Sequence, residues 1–173
     1  MGQGMLRRGL HALYTLCGYA AAAFLAAIAV VTLWQIVARQ IGMAIETTEI
    51  AGFCLAASTF LALAHTFVNG GHVRISLVSQ FAPPHLRRAV EIWCCALAAG
   101  VTGYAAWQMV LFTLQSHDFG DLSPGMVAMP LWIPQSGVAF GLVVLTVAIA
   151  EQATLVIRGQ APGYATNIDG TVD

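Results

Sequence analysis

Lysine is absent from all 173 residues, and charged residues of every kind make up only 9% of the chain, where a soluble domain carries about 25%. A surface so poor in charge cannot be kept in water, which excludes an ordinary soluble domain. The seven basic residues are all arginines, form no large cluster and leave a net charge of -1, so no nucleic-acid partner is expected. Cysteine is scarce too: Cys17, Cys54, Cys94 and Cys95 all sit inside apolar runs and form no C-x-x-C pair. That argues against a disulfide framework or a zinc site and for small packing residues. The sequence also lacks a nucleophile triad, a phosphate loop and a cluster at metal-ligand spacing, so it is not read as an enzyme.

What the chain does have is hydrocarbon-like length: 58% of its residues are hydrophobic. Crossing a bilayer takes about 20 mostly apolar residues in a helix, because lipid cannot satisfy free backbone groups. Four stretches qualify, at about 10–38, 47–68, 90–115 and 131–157. The expected fold is therefore all-α, a single four-helix integral membrane domain over 1–173 with a C-terminal tail at 159–173. The rival reading of the first stretch is a cleaved signal peptide, but its apolar run is about twice the usual 7–15 residues.

Arginine placement sets the orientation, since short arginine-rich loops stay in the cytoplasm. Arg7, Arg8, Arg74, Arg87, Arg88 and Arg158 fall on one side, and Arg39 alone falls on the other with Asp118 and Asp121. Both termini are expected in the cytoplasm. Between helices two and three, Gly70-Gly71 stops one helix and Pro83-Pro84 precedes the next. In between, Val73, Leu77, Val78 and Phe81 recur at helical spacing, which predicts a short interfacial amphipathic helix over about 73–81. Before helix four, Pro130 and Pro134 bracket Trp132, a proline-tolerant first turn with an interface-preferring aromatic.

Ionisable groups inside a membrane are candidates for function. Glu46 and Glu49 lie three residues apart, read as one face of the start of helix two, and Arg39 precedes them across a short turn. They read either as a cation or substrate site or as an Arg–Glu bridge pinning helices one and two. Their place near the water boundary favours the bridge. Glu151 lies deeper, about two turns before Arg158, and reads as a proton-coupling carboxylate or as a bond to a neighbouring helix. Gly137-x-x-x-Gly141, Ala96-x-x-x-Gly100 and Ala99-x-x-x-Gly103 permit close backbone approach, within the chain or against a partner. His65 and His11 raise the possibility of haem held between helices, with no further signature to support it. Helix one lacks the deep carboxylate on which a small proton-coupled exporter depends, so the chain reads as a partner subunit.

In this order and topology several segments resemble one family. They are Arg39 after helix one, Glu46-Thr47-Thr48-Glu49-Ile50-Ala51-Gly52 opening helix two, Gly71-His72-Val73-Arg74-Ile75 after it, and Pro83-Pro84-x-x-Arg87. Ser123-Pro124 and Met129-Pro130-Leu131-Trp132-Ile133-Pro134 complete the set. The family is the small, Q-type (DctQ-like) membrane subunit of tripartite ATP-independent periplasmic (TRAP) transporters. The chain differs from it in two places: the usual adjacent glutamates are here Thr48 and Glu49 with the second acid at Glu46, and Ser76 stands where an acid is common.

The resemblance implies a scaffold subunit of the bacterial inner membrane, paired with a large elevator-type permease subunit. Sodium-coupled uptake of an organic acid, delivered by a periplasmic substrate-binding protein, would then take place in the partner. This chain would hold no substrate, metal or cofactor and would contact membrane lipid. Arg39, Glu46 and Glu49 would shape its periplasmic face, and His72 and Arg74 would fix the interfacial helix. The readings from other classes are a haem-bearing anchor of an electron-transfer complex and an autonomous small transporter.

Overall fold

In a computed structural model of the chain, the described residues are 2–43, 45–69, 84–125 and 127–157; side chains are described from residue 8 in the first helix, and in the third at 89, 90 and from 92 on. They form four α-helices: α1 (Gly2–Gln40), α2 (Thr48–Val68), α3 (Pro84–Phe119) and α4 (Trp132–Ile157). All four are long and apolar enough to span a membrane. The interfacial helix expected over 73–81, with His72 and Arg74, lies outside the described residues, as does the tail at 159–173.

α2 has 21 residues, about 31 Å at a rise of about 1.5 Å per residue, which just crosses a hydrocarbon layer of about 30 Å. α1 and α3, with 39 and 36 residues, run well past that layer. The α1 helix starts at Gly2, ahead of the apolar span expected at about 10–38, and α3 runs from Pro84 to Phe119, past both ends of the span expected at about 90–115. Charged residues end an apolar run without ending a helix, and Pro84 and Pro134 occupy first turns where no intrahelical N–H is needed.

α1 and α3 stop in the same way. Gly42 and Gly120 take positive φ values of 79° and 66°. Met43 N–H donates to the Ala38 carbonyl at 2.9 Å, and Asp121 N–H to the Ser116 carbonyl at 3.1 Å. These are the wrapped-back bonds by which a left-handed glycine ends a helix.

Packing runs α1 to α2, α2 to α4 and α4 to α3. α2 and α4 lie inside this sequence of contacts, whereas α1 and α3 lie at its ends. The core gathers Tyr14, Cys17 and Ala21 of α1, Leu61, Ala64 and Phe67 of α2, and Val144, Leu145, Ala148 and Ile149 of α4. Their spacings of three and four residues place one stripe of each helix inward.

The small residues fix how closely the helices approach. A Cβ on Gly141 would lie 2.6 Å from the Phe60 carbonyl carbon and oxygen, so α4 rests directly on the α2 backbone there. One turn earlier, a Cβ on Gly137 would meet the Ala57 methyl at an ordinary 3.5 Å. The Gly137-x-x-x-Gly141 stripe thus serves contact within the chain. Gly103 faces Thr146 of α4, whereas a Cβ on Gly100 would meet nothing within 4 Å among the described residues.

Candidate functional site

Polar side chains gather at both ends of the bundle. At one end the last turns of α1 and α3 meet the first turns of α2 and α4. Thr47, just before α2, is buried and donates its hydroxyl to Gln35 Oε1 of α1 at 2.7 Å. Beside it, Arg39 and Glu46 line a surface depression of about 470 Å³ together with Gln35, Met43, Ile45 and Thr48.

Arg39 forms no ion pair with Glu46 or Glu49 among the described residues. At this end the exposed His117 Nδ1 lies 3.6 Å from Asp118 Oδ1. Nor do the two glutamates share a helical face. α2 starts at Thr48, so Glu46 lies in the non-helical segment before the helix and is exposed, while Glu49 occupies the first turn. The Gln35–Thr47 bond, rather than a salt bridge, joins α1 to the start of α2.

Glu49 turns toward the segment between α3 and α4. That segment folds back on itself: Ser123 N–H donates to the Met129 carbonyl at 2.9 Å, and Leu131 N–H to the Asp121 carbonyl at 3.0 Å. Leu122 and Pro130 form an isolated antiparallel bridge. The fold-back brings Gly125 against Glu49, where any Cβ would overlap the carboxylate. Both Glu49 carboxylate oxygens are buried without a hydrogen-bond partner among the described residues. Two segments that sequence offered separately, the acidic start of α2 and Ser123-Pro124 with the glycine that follows, are therefore one site. Trp132, at the first position of α4, meets the His117 ring edge-on at 5.4 Å. Pro134 and Gly137 line an apolar cleft of about 370 Å³ between α1, α2 and α4.

At the opposite end, the Tyr14 hydroxyl of α1 donates to Glu151 Oε2 of α4 at 2.9 Å. His11 meets the Tyr14 ring edge-on at 6.2 Å. His65 of α2 packs flat on Gly18 of α1, where a Cβ would lie 2.9 Å from its ring, and its Nε2 lies 3.1 Å from the Asn69 amide nitrogen. Glu151 is thus placed as an acceptor that ties α4 to α1.

Sequence reasoning singled out Glu151 but not Tyr14, Glu49 but not Gly125, and Arg39 but not Gln35 or Thr47. The available signals were a tyrosine at the same depth as a lone intramembrane acid and two uncharged hydrogen-bonding residues flanking a tight turn. No group of three or more metal-ligating side chains occurs among the described residues.

Comparison with curated proteins and with solved structures gives no significant match. Over residues 28–159, most of its length, the chain matches the family described as tripartite ATP-independent periplasmic transporters, DctQ component, and it belongs to that family.

Proposed function

We propose that this chain is the static small subunit of a TRAP transporter, paired in the bacterial inner membrane with a large elevator-type permease subunit. The permease moves an organic acid, coupled to sodium and handed over by a periplasmic binding protein. The small subunit holds no substrate, ion or cofactor and widens the scaffold against which the mobile part slides. Both termini lie in the cytoplasm, so Arg39, Glu46 and the fold-back at 121–130 face the periplasm, where the binding protein docks.

One observation carries this reading: α1, α2 and α4 meet in a core made mainly of apolar side chains, the cleft beside it is apolar too, and the Glu151 carboxylate of α4 is engaged by Tyr14. A solute path needs polar groups along its length, and this interior supplies packing instead. Separate Glu46→Ala and Glu49→Ala substitutions in the assembled transporter test it. Substrate affinity should stay at the wild-type value while the subunits remain together. Loss of substrate binding by an intact complex would overturn the scaffold-only role.

A further inference from the structure

The two helices at the ends of the packing order present different outward faces. In the middle of α1 the exposed residues are Tyr19, Ala22, Ala23, Phe24, Leu25 and Ala26, among which the Tyr19 hydroxyl is the one side-chain hydrogen-bonding group. In the middle of α3 they include Tyr104, Trp107 and Gln108, the first two 67% and 65% exposed. Gln108 Nε2–H donates to the Tyr104 hydroxyl oxygen at 2.9 Å. The Tyr104 proton, the Gln108 carbonyl oxygen and the Trp107 N–H have no partner among the described residues.

Tyrosine and tryptophan prefer the membrane interface, and unpaired polar groups in lipid are costly. Three such groups at the midpoint of a span mark a surface that lipid does not cover in the working protein. The face continues through Trp93, Leu97, Gly100, Tyr104, Trp107, Leu111 and Leu114, spaced three or four residues apart and all exposed. Gly100, with nothing near its Cβ direction, makes a notch between the larger side chains.

We propose that this outward face of α3 is the docking surface for the large permease subunit, an inference that rests on the function proposed above. Its occupant is a transmembrane helix that approaches closely at Gly100 and presents a hydrogen-bonding side chain to Tyr104 and Gln108. A second copy of this chain fits less well. A two-fold contact through an outermost helix sets α3 against α3, along a strip about 32 Å long and about 10 Å wide. That is on the order of 300 Å² a side, where a standard interface buries roughly 800 Å² per partner. A polytopic partner also reaches the adjoining groove of about 260 Å³ between α3 and α4, lined by Ala106, Val110, Val143 and Val147.

The test purifies the tagged full-length chain from its native membranes in mild detergent and measures the ratio of permease to chain. Gln108→Leu and Tyr104→Phe should each lower that ratio about threefold, the effect of one interhelical hydrogen bond in a membrane. Gly100→Leu, at a position whose Cβ meets nothing within 4 Å among the described residues, should lower it about tenfold or more by filling the notch where helices pack closely. Ala23→Leu on the outer face of α1 should leave it unchanged. Thermal unfolding of each purified variant at the wild-type temperature shows that folding is intact.

Wild-type retention of permease by all three α3 variants would overturn the surface while leaving the proposed function standing. Gln108→Leu that raises thermal stability with an unchanged ratio would assign the face to lipid. Crosslinking of Gly100→Cys to a second copy of the chain would assign it to self-association. Failure of the wild-type chain to bring down permease would overturn the proposed function and this surface together.

Discussion

Tyr14 and Glu151 lie 137 positions apart in sequence and are joined by one hydrogen bond of 2.9 Å, from the phenol of α1 to the carboxylate of α4. Tyr14 is 1% exposed and belongs to the core in which α1, α2 and α4 meet. The bond therefore closes a contact between the first and last spans while satisfying two polar groups in an apolar setting.

Tyr14→Phe should lower thermal stability in detergent by about 0.6 kcal/mol, and by no more than about 1.7 kcal/mol, the range found for interhelical hydrogen bonds in membranes. Transport per assembled complex should not change. A strong loss of transport by a stable, fully assembled Tyr14→Phe transporter would show that Glu151 takes part in coupling.

The two glycines of the α4 stripe should behave differently. Gly141→Ala drives a methyl into the Phe60 backbone, which cannot swing aside, and should cost about 1–3 kcal/mol. Gly137→Ala places its methyl at contact distance from Ala57 and should be neutral or mildly stabilising, because alanine is the better helix former by about 1 kcal/mol. Chemical or thermal unfolding of the two variants side by side checks the order; equal effects would contradict the close α2–α4 approach.

At the opposite end, Thr47→Val removes the hydroxyl that binds Gln35 at nearly constant volume. It leaves the half-buried Gln35 amide oxygen short of a donor and should cost about 0.5–1.5 kcal/mol. Gln35→Leu combined with Thr47→Val should recover part of that loss, since removing both partners is milder than orphaning one. A double-mutant cycle with no coupling would mean that the bond does not hold α1 to the start of α2.

Glu49 should respond in the reverse sense. Its carboxylate oxygens are buried without donors among the described residues, so Glu49→Gln, which removes no hydrogen bond seen there, should leave stability unchanged or raise it. Gly125→Ala should cost less than Gly141→Ala, because the obstacle is the end of a flexible side chain. Loss of more than about 1 kcal/mol in Glu49→Gln would reveal a donor to the carboxylate.

How much of this was legible in sequence depended on whether a feature is local. The four spans could be read directly, because each is a continuous apolar run, and the Pro130–Pro134 segment marked the start of α4. The limits of α1 and α3 could not, since Arg8 and His117 leave the apolar pattern without leaving the helix. Gly137 and Gly141 signalled close approach but carried no address; Phe60 and Ala57, some eighty residues earlier, supply it. The Arg39–Glu bridge failed for a local reason as well: α2 begins at Thr48, which leaves Glu46 ahead of the helix and sends only Glu49 inward. Tyr14 with Glu151, and Gly125 with Glu49, are tertiary pairs with no periodic signature.

Affinity purification of the tagged wild-type chain from its native membrane, with the mass and stoichiometry of what accompanies it, tests the scaffold role most directly. The account predicts a large polytopic permease recovered in equal amount, with no visible absorption band in the purified complex. A chain that emerges alone and well folded, carrying haem or moving solute after reconstitution by itself, would contradict it.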